Sequence, residues 1–185
     1  MPLSFLRQKI TVASGLGLCY TASNSYKEVT SMPIRPATIN DRETVHSIAQ
    51  ETISAIYPRY YPRGAVDFFL QHHNPAAIER DIRNSCVFLA VNEEEKAVGT
   101  VTIRKNEILR LFVLPECQGM GYGKMLLNFA EETVARQYEI ILVDASLPAK
   151  SLYLKRGYRE TEYHKIKTEN GDYLCYDVME KPTQL

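Results

Sequence analysis

From residue 32 onward the apolar positions of this chain fall into helical and strand-like periods, and the switches between them sketch its elements. Ile34-Arg35-Pro36-Ala37 reads as a short first strand. Val45, Ile48, Ala49, Thr52, Ile53 and Ile56 recur at helical spacing, which predicts an amphipathic helix over 41–57. Asn40 stands as its cap, with Glu43 three residues on completing a capping box. Pro58 and Pro62 break the helix, and 65–72 and 75–84 read as two shorter ones joined by His73-Asn74. Three strands follow: the apolar run 87–91, then 96–104 after an acidic turn, then 107–114 after Lys105-Asn106. A Gly-rich loop, 118–123, leads into a helix predicted over 122–137, with Leu126, Leu127, Phe129, Ala130, Val134 and Ala135 on its buried face. Ile140 to Val143 reads as a fully buried stretch within a strand over 139–144. Ser146-Leu147-Pro148 opens another helix, which Gly157 ends. Residues 158–166 and 173–179 read as a closing hairpin about the turn 169–172.

The order is therefore β-α-α-α-β-β-β-α-β-α-β-β. Strand 107–114, helix 122–137 and strand 139–144 form a β-α-β unit whose strands should be parallel neighbours, while short turns make the others antiparallel. That predicts one mixed-sheet α/β (α+β) domain over 32–185. Residues 1–31 differ, with Arg7, Lys9 and Lys27 against the single acid Glu28 and many Ser, Thr and Gly. Three readings of them are open. A secretory signal suffers from the short, interrupted apolar stretch around Val12–Leu18. An organellar transit peptide fits the basic, Ser-containing, acid-poor composition, but Arg is scarce. The third is a disordered leader, or an over-extended start with Met32 as the functional first residue.

Charge narrows the classes of partner. The 185 residues hold 22 basic and 22 acidic side chains. Setting 1–31 aside leaves 19 basic and 21 acidic, so general phosphate attraction is absent and no nucleic-acid partner is expected. No run of apolar residues is long enough for a membrane helix, and no membrane partner is expected either. The four cysteines, at 19, 86, 117 and 175, form no CxxC and no zinc-type spacing with His. They read as reduced thiols of a cytoplasmic protein, with no metal. His72 and His73 are adjacent on a predicted helix, about 100° apart, and do not make a metal site.

The loop Gln118-Gly119-Met120-Gly121-Tyr122-Gly123 carries the chemistry. Glycines between a strand and a helix admit positive φ and leave amides and a helix N-terminus open to an anion, with Lys124 adding a cation. The spacing is neither the dinucleotide-binding G-x-G-x-x-G nor the P-loop, since Met125 stands where Ser or Thr would follow the lysine. Asp144 is the one candidate for a ribose-binding acid. Taken alone, such a loop could equally be a tight turn that brings a helix close to a sheet.

The flanking residues decide more. The loop matches the Q/R-x-x-G-x-G/A signature of the GNAT superfamily of acetyl-CoA-dependent N-acetyltransferases. Leu111-Phe112-Val113-Leu114-Pro115-Glu116 resembles that family's strand end before the loop. Ser151-Leu152-Tyr153-Leu154-Lys155-Arg156-Gly157-Tyr158 resembles its later tyrosine segment, and Met32–Thr38 its usual opening. The resemblance spans about 32–181. It implies a mostly antiparallel central sheet of about seven strands flanked by helices, with a splayed parallel pair where CoA enters. It implies acetyl-CoA as cosubstrate, its pyrophosphate on the amides of Gly119, Met120, Gly121, Tyr122, Gly123 and Lys124 beside Gln118. Main-chain groups of Phe112, Val113 and Leu114 would bond the pantetheine arm, one amide serving as oxyanion donor. Tyr153 matches the family's general-acid tyrosine and is expected to protonate the departing thiolate or to contact the CoA sulfur; an ordinary packing role is the alternative. Glu107, at an offset where some members carry a catalytic glutamate, is the candidate base, or else a solvated turn residue. Ser146 stands where the family often has an arm-binding Asn, and its shorter side chain weakens that contact. Cys117 reads as incidental.

The implied reaction is direct transfer of an acetyl group, in a ternary complex, to a primary amine of a small molecule, protein or peptide. A catalytically silent acyl-CoA-binding or regulatory domain is the alternative, and a nucleotide-phosphate-binding protein a second rival. Oligomeric state is open, a homodimer included. On the acceptor side, Tyr57–Gly64, with three tyrosines and two arginines, reads as a surface loop covering the sheet or as a pocket wall. Tyr163 and His164 face opposite sides of a strand, so one of them could reach the acceptor.

Overall fold

The computed structural model describes residues 34–183; the expectations for residues 1–31 and for Met32 lie outside them. In chain order the elements are β1 (Ile34–Pro36), α1 (Arg42–Ile56), α2 (Arg63–His72), α3 (Pro75–Arg83), β2 (Val87–Val91), β3 (Ala97–Arg104), β4 (Glu107–Val113), α4 (Tyr122–Ala135), β5 (Ile140–Ser146), α5 (Leu147–Lys155), β6 (Arg159–Lys167) and β7 (Tyr173–Pro182). Among the described residues no helix is long and apolar enough to cross a membrane.

The order matches the expectation, but the start of α1 does not. A 3-10 turn, Ile39–Asp41, precedes it, and the box is built on Thr38 and Asp41 instead of Asn40 and Glu43. Asp41 accepts from the Thr38 amide at 2.7 Å and its hydroxyl at 2.8 Å. Arg35 donates twice to the same carboxylate, at 2.7 and 2.9 Å, and holds it well below the usual carboxylate range. The Arg35 guanidinium, on β1, thus joins the cap.

The seven strands form one sheet in the order β1-β2-β3-β4-β5-β7-β6, and every neighbouring pair is antiparallel except β4–β5. This is the GNAT arrangement that the motifs implied. Helix α4 covers one face, where Leu126, Leu127 and Ala130 pack on Val101, Ile141 and Val143. Full burial is worth roughly 1.5–3 kcal/mol for each large side chain, which fixes the rotation of α4 about its axis. Helices α1 to α3 cover the N-terminal half of the other face, with Ile48, Ile53 and Ile78 against Leu89 and Phe112. Strand β5 is not buried throughout as its apolar run suggested. Ile141 and Val143 are buried under α4, while Ile140 and Asp144 are exposed, because the opposite face opens on a cleft.

That cleft begins where β4 and β5 part. Their ladder holds only two pairs, Glu107↔Leu142 and Ile108↔Val143. Beyond it β4 carries a bulge: Leu109 and Phe112 pair with Thr102 and Thr100, so Arg110 and Leu111 stand opposite the single Val101. Arg110 takes φ 50° there. A bulge bends and twists its strand, and here it leads β4 away from β5. The far wall of the cleft is pinned by the β6–β7 turn, where Asp172 accepts from the Gly64 amide at 2.8 Å. A Cβ on Gly64 would collide with the Asn170 side chain, so a larger residue there would have to displace that side chain from its place against α2.

Candidate active site

At the end of β4 the chain turns through Pro115–Cys117 and the glycine loop into α4. Gly119 and Gly121 have φ of 78° and 95°, the left-handed region that glycine enters without steric cost. Gly121 is the N-cap of α4, no side chain caps the helix, and its first backbone bond runs from the Met125 amide to the Gly121 carbonyl. Among the described residues, none of the six amides from Gly119 to Lys124 donates to a protein acceptor. The loop thus presents a run of free donors at the positive end of a helix dipole, which suits a pyrophosphate. Tyr122 contributes its amide alone, since its ring is 5% exposed within the core under the sheet. Met120 is exposed, and Lys124 lines a hollow of about 350 Å³ beside the loop with Asn128 and Glu132.

The strand leading into the loop is partly committed. The Leu114 amide donates to Val98 at 2.9 Å and its carbonyl accepts from Cys117 at 2.9 Å, so Leu114 offers an incoming arm no free amide. The Gln118 side chain donates to the Val113 carbonyl at 3.0 Å, as does the Thr52 hydroxyl at 3.0 Å. Gln118 therefore closes the strand end instead of reaching into the loop. With Leu114 bonded back to β3, the alternation of the ladder turns the Val113 N–H toward the gap between β4 and β5. Phe112 is buried with its ring edge-on to His73 at 5.2 Å.

The gap opens into a cleft of about 600 Å³ that collects residues distant in sequence. Tyr153, on α5, lines it from one side, its ring edge-on to Tyr158 at 5.2 Å. Burial raises the Tyr153 phenol above its ordinary value, with the nearby Tyr57 and Glu131 adding to the shift. A phenol is already a weaker acid than a thiol, about 10 against about 8.5 in reference compounds. Burial widens that difference, so complete proton transfer to a thiolate is uphill, and the phenol acts at a sulfur as a hydrogen-bond donor. Ser146 also lines the cleft, but Tyr57 donates to its hydroxyl at 3.1 Å, which ties up the short side chain expected to reach the arm.

Glu107 lies at the first β4–β5 pair, on the face that bears the cleft. Asp144, two residues beyond its partner Leu142 on β5, shares that face. Although Asp144 is exposed as a whole, partial loss of solvent around it in the cleft raises its carboxyl, with His164 and His72 acting the other way. Sequence reasoning weighed Asp144 only as a ribose ligand. Its register, two residues past the ladder that holds Glu107, was the signal for a second cleft carboxylate. Of the Tyr57–Gly64 stretch only Tyr57 lines the cleft; Tyr61 is buried beneath it, accepting from the Leu147 amide at 2.7 Å and donating to the Cys175 carbonyl at 2.9 Å. Only Tyr60 of the three tyrosines is exposed. On β6 it is His164 that shares the cleft face, stacked on Tyr176 at 5.0 Å, while Tyr163 is exposed on the other side.

Beyond Glu107 the cleft wall is basic. Asp81, on α3, accepts from Arg110 at 2.9 Å and from Arg104 at 2.9 Å, with Arg80 4.0 Å away. Arg110 donates also to the Thr102 hydroxyl at 2.9 Å and to His73 Nδ1 at 3.3 Å. Burial and the Arg110 charge push His73 down to about 3, and burial likewise lowers His72, so both are neutral at physiological pH. Among the described residues no group of three or more His, Cys, Asp or Glu side chains could hold a metal ion. Burial raises the Cys117 thiol, with Glu116 adding to it, which is the reverse of an activated nucleophile.

Comparison with known proteins agrees with this geometry. The family model described as an acetyltransferase (GNAT) domain matches residues 56–172. A GCN5-related N-acetyltransferase from Rhodopseudomonas palustris superposes with TM-score 0.74 at 23% identity, over 81% of this chain and 94% of that one. PaiA N-acetyltransferase from Thermoplasma acidophilum, solved with coenzyme A, gives 0.63 at 22% identity, over 81% and 98%. A GNAT superfamily phosphinothricin acetyltransferase from Sinorhizobium meliloti, solved with AcCoA, gives 0.58 at 18% identity, over 82% and 88%. At these identities the likeness is one of fold.

Proposed function

The chain belongs to the GNAT acetyltransferase family, and we propose that it transfers an acetyl group from acetyl-CoA to a primary amine by direct attack in a ternary complex. The observation that carries this reading is the uncapped run of amides from Gly119 to Lys124, set at the mouth of the gap between β4 and β5. The amides receive the pyrophosphate, and the hollow beside Lys124 leaves room for the rest of the nucleotide. The arm follows the gap inward, which brings the thioester to the cleft that Tyr153 lines.

The residues then divide the work. The Val113 N–H faces the gap and can stabilise charge growing on the thioester oxygen. Glu107 and Asp144 stand where a protonated amine enters. Asp144, with its raised carboxyl, is the better placed to take the ammonium proton through water. As the C–N bond forms and the C–S bond breaks, the Tyr153 phenol donates a hydrogen bond to the departing sulfur. The amine's proton leaves by the carboxylates, and the thiolate is protonated from solvent.

A melting-curve screen with CoA, acetyl-CoA, ATP and NAD tests the reading. Ligand at 100 times its dissociation constant adds about 2.7 kcal/mol, or roughly 5–10 °C for a domain of this size. CoA and acetyl-CoA should give that shift, and thiol release from acetyl-CoA should depend on added amine. A shift with ATP and none with CoA would overturn the proposal, and binding without amine-dependent thiol release would leave only a silent acyl-CoA-binding domain.

A further inference from the structure

We propose that the acceptor is a small amine that also carries a carboxylate, an amino-acid-like zwitterion, its carboxylate held by Arg80, Arg104 and Arg110 and its amine turned toward Glu107 and Asp144. The inference rests on the acetyl-transfer reading and names the acceptor class for the same cleft.

The charges in the cleft are sorted by sign. At one end three guanidiniums converge on the single carboxylate of Asp81. His72 and His73, which flank them, carry no negative charge to balance the surplus. Arg110 is the sharpest case, with a side chain only 6% exposed. Its Nη1 serves Asp81 and Thr102 and its Nε serves His73, while Nη2 donates to no acceptor among the described residues. A planar guanidinium with a free edge on a cleft is suited to a second carboxylate. Its backbone supports the same reading. At φ 50° a non-glycine residue is strained, and it sits in the bulge that places this side chain on the cleft.

The other end is acidic. Glu107 and Asp144 line the same cleft on the same sheet face. Three residues along β4 separate Glu107 from Arg110, about 10 Å at roughly 3.3 Å per residue. Glu107 is the Cα partner of Arg104, whose guanidinium turns to Asp81, so the basic and acidic parts of the cleft adjoin at the β3–β4 turn. A cleft of about 600 Å³ is of small-ligand size. A zwitterion satisfies both ends of this wall. A diamine would place its second cation against the arginines, and like-charge contact of that kind selects against a partner.

Matched acceptors test this on the full-length protein. α- and ω-Amino acids are each compared with their carboxamides and decarboxylated amines, following thiol release from acetyl-CoA. The preferred amino acid should exceed both analogues in kcat/KM by roughly 10- to 100-fold. Arg104→Gln and Arg80→Gln, at partly exposed side chains, should raise its KM and narrow that ratio while KM for acetyl-CoA stays. The inference is overturned if amides or diamines are used as well as or better than amino acids. It is equally overturned if neither variant moves the ratio, or if a protein that binds acetyl-CoA uses nothing in the panel. Failure to bind CoA at all, read from the melting curve, would instead sink the acetyl-transfer reading and this inference with it.

Discussion

Asp81→Asn is the substitution whose outcome the structure specifies most closely. The Asp81 side chain is 2% exposed and lies between Arg110, 6% exposed, and Arg104, 44% exposed. Burial alone would push its carboxyl up, but the hydrogen bonds and charges of Arg110 and Arg104 outweigh burial and hold it below the usual range. Asparagine keeps the shape and one acceptor oxygen but leaves the buried Arg110 charge without a counter-ion. Removing one partner of a buried pair costs about 3–5 kcal/mol. The amide oxygen still accepts one bond, so the low end, about 3 kcal/mol, is expected, or a fall in Tm of roughly 6–12 °C. Arg104→Gln removes the solvent-screened half of the cluster and should cost about 1 kcal/mol or less. The sign with pH follows from the depressed carboxyl. Its contribution is present above the unfolded-state pKa and is lost as pH falls through the folded one. The gap between wild type and Asp81→Asn should therefore hold at neutral pH and shrink below about pH 4. Urea and thermal unfolding at several pH values measure all three quantities. A loss under about 1 kcal/mol at pH 7, equal to that of Arg104→Gln, would refute the argument that the buried half carries the energy.

Tyr153→Phe keeps the ring on Tyr158 and removes only the donor, so kcat should fall by roughly 10- to 100-fold with little change in Tm; an unchanged kcat would take Tyr153 out of the reaction. Asp144→Asn should act in opposite directions on stability and activity. Its carboxyl is raised in the folded state, so ionising it costs stability as pH rises through that value, and the asparagine variant should melt higher than wild type at pH 7 but not in acid. Amine-dependent thiol release should fall in the same variant, and a Tm difference that ignores pH would remove the burial argument.

Element order was legible because period and punctuation are local. The helical spacing from Val45 to Ile56, the proline breaks and the turn at 169–172 each depend on neighbours within a few residues. Local signals failed where side-chain partners, not spacing, decided. The capping box formed on Thr38 and Asp41, in the 3-10 turn ahead of α1, where Arg35 of β1 also binds Asp41. The apolar stretch of β5 reads as buried, yet Ile140 and Asp144 are exposed, because α4 covers the face of Ile141 and Val143 while the opposite face opens on the cleft at Asp144. The glycines at 118–123 left an anion site and a tight turn equally open until the flanking motifs were read with them, whereas the free amides themselves follow from backbone conformation.

What the sequence determined by itself was the succession of elements, the family resemblance and the glycine loop that leads into α4, all written in contiguous residues. What only the tertiary structure decided was the charged wall of the cleft and the carboxylate behind it. Asp81, Arg104, Arg110 and Asp144 come from α3, β3, β4 and β5, and nothing in their spacing joins them. They meet because a two-pair ladder and one bulge part β4 from β5, and because helices α1 to α3 fold over the same face. Burial then strengthens the Asp81–Arg110 pair, whose side chains are 2% and 6% exposed although both are charged residues with no special spacing along the chain.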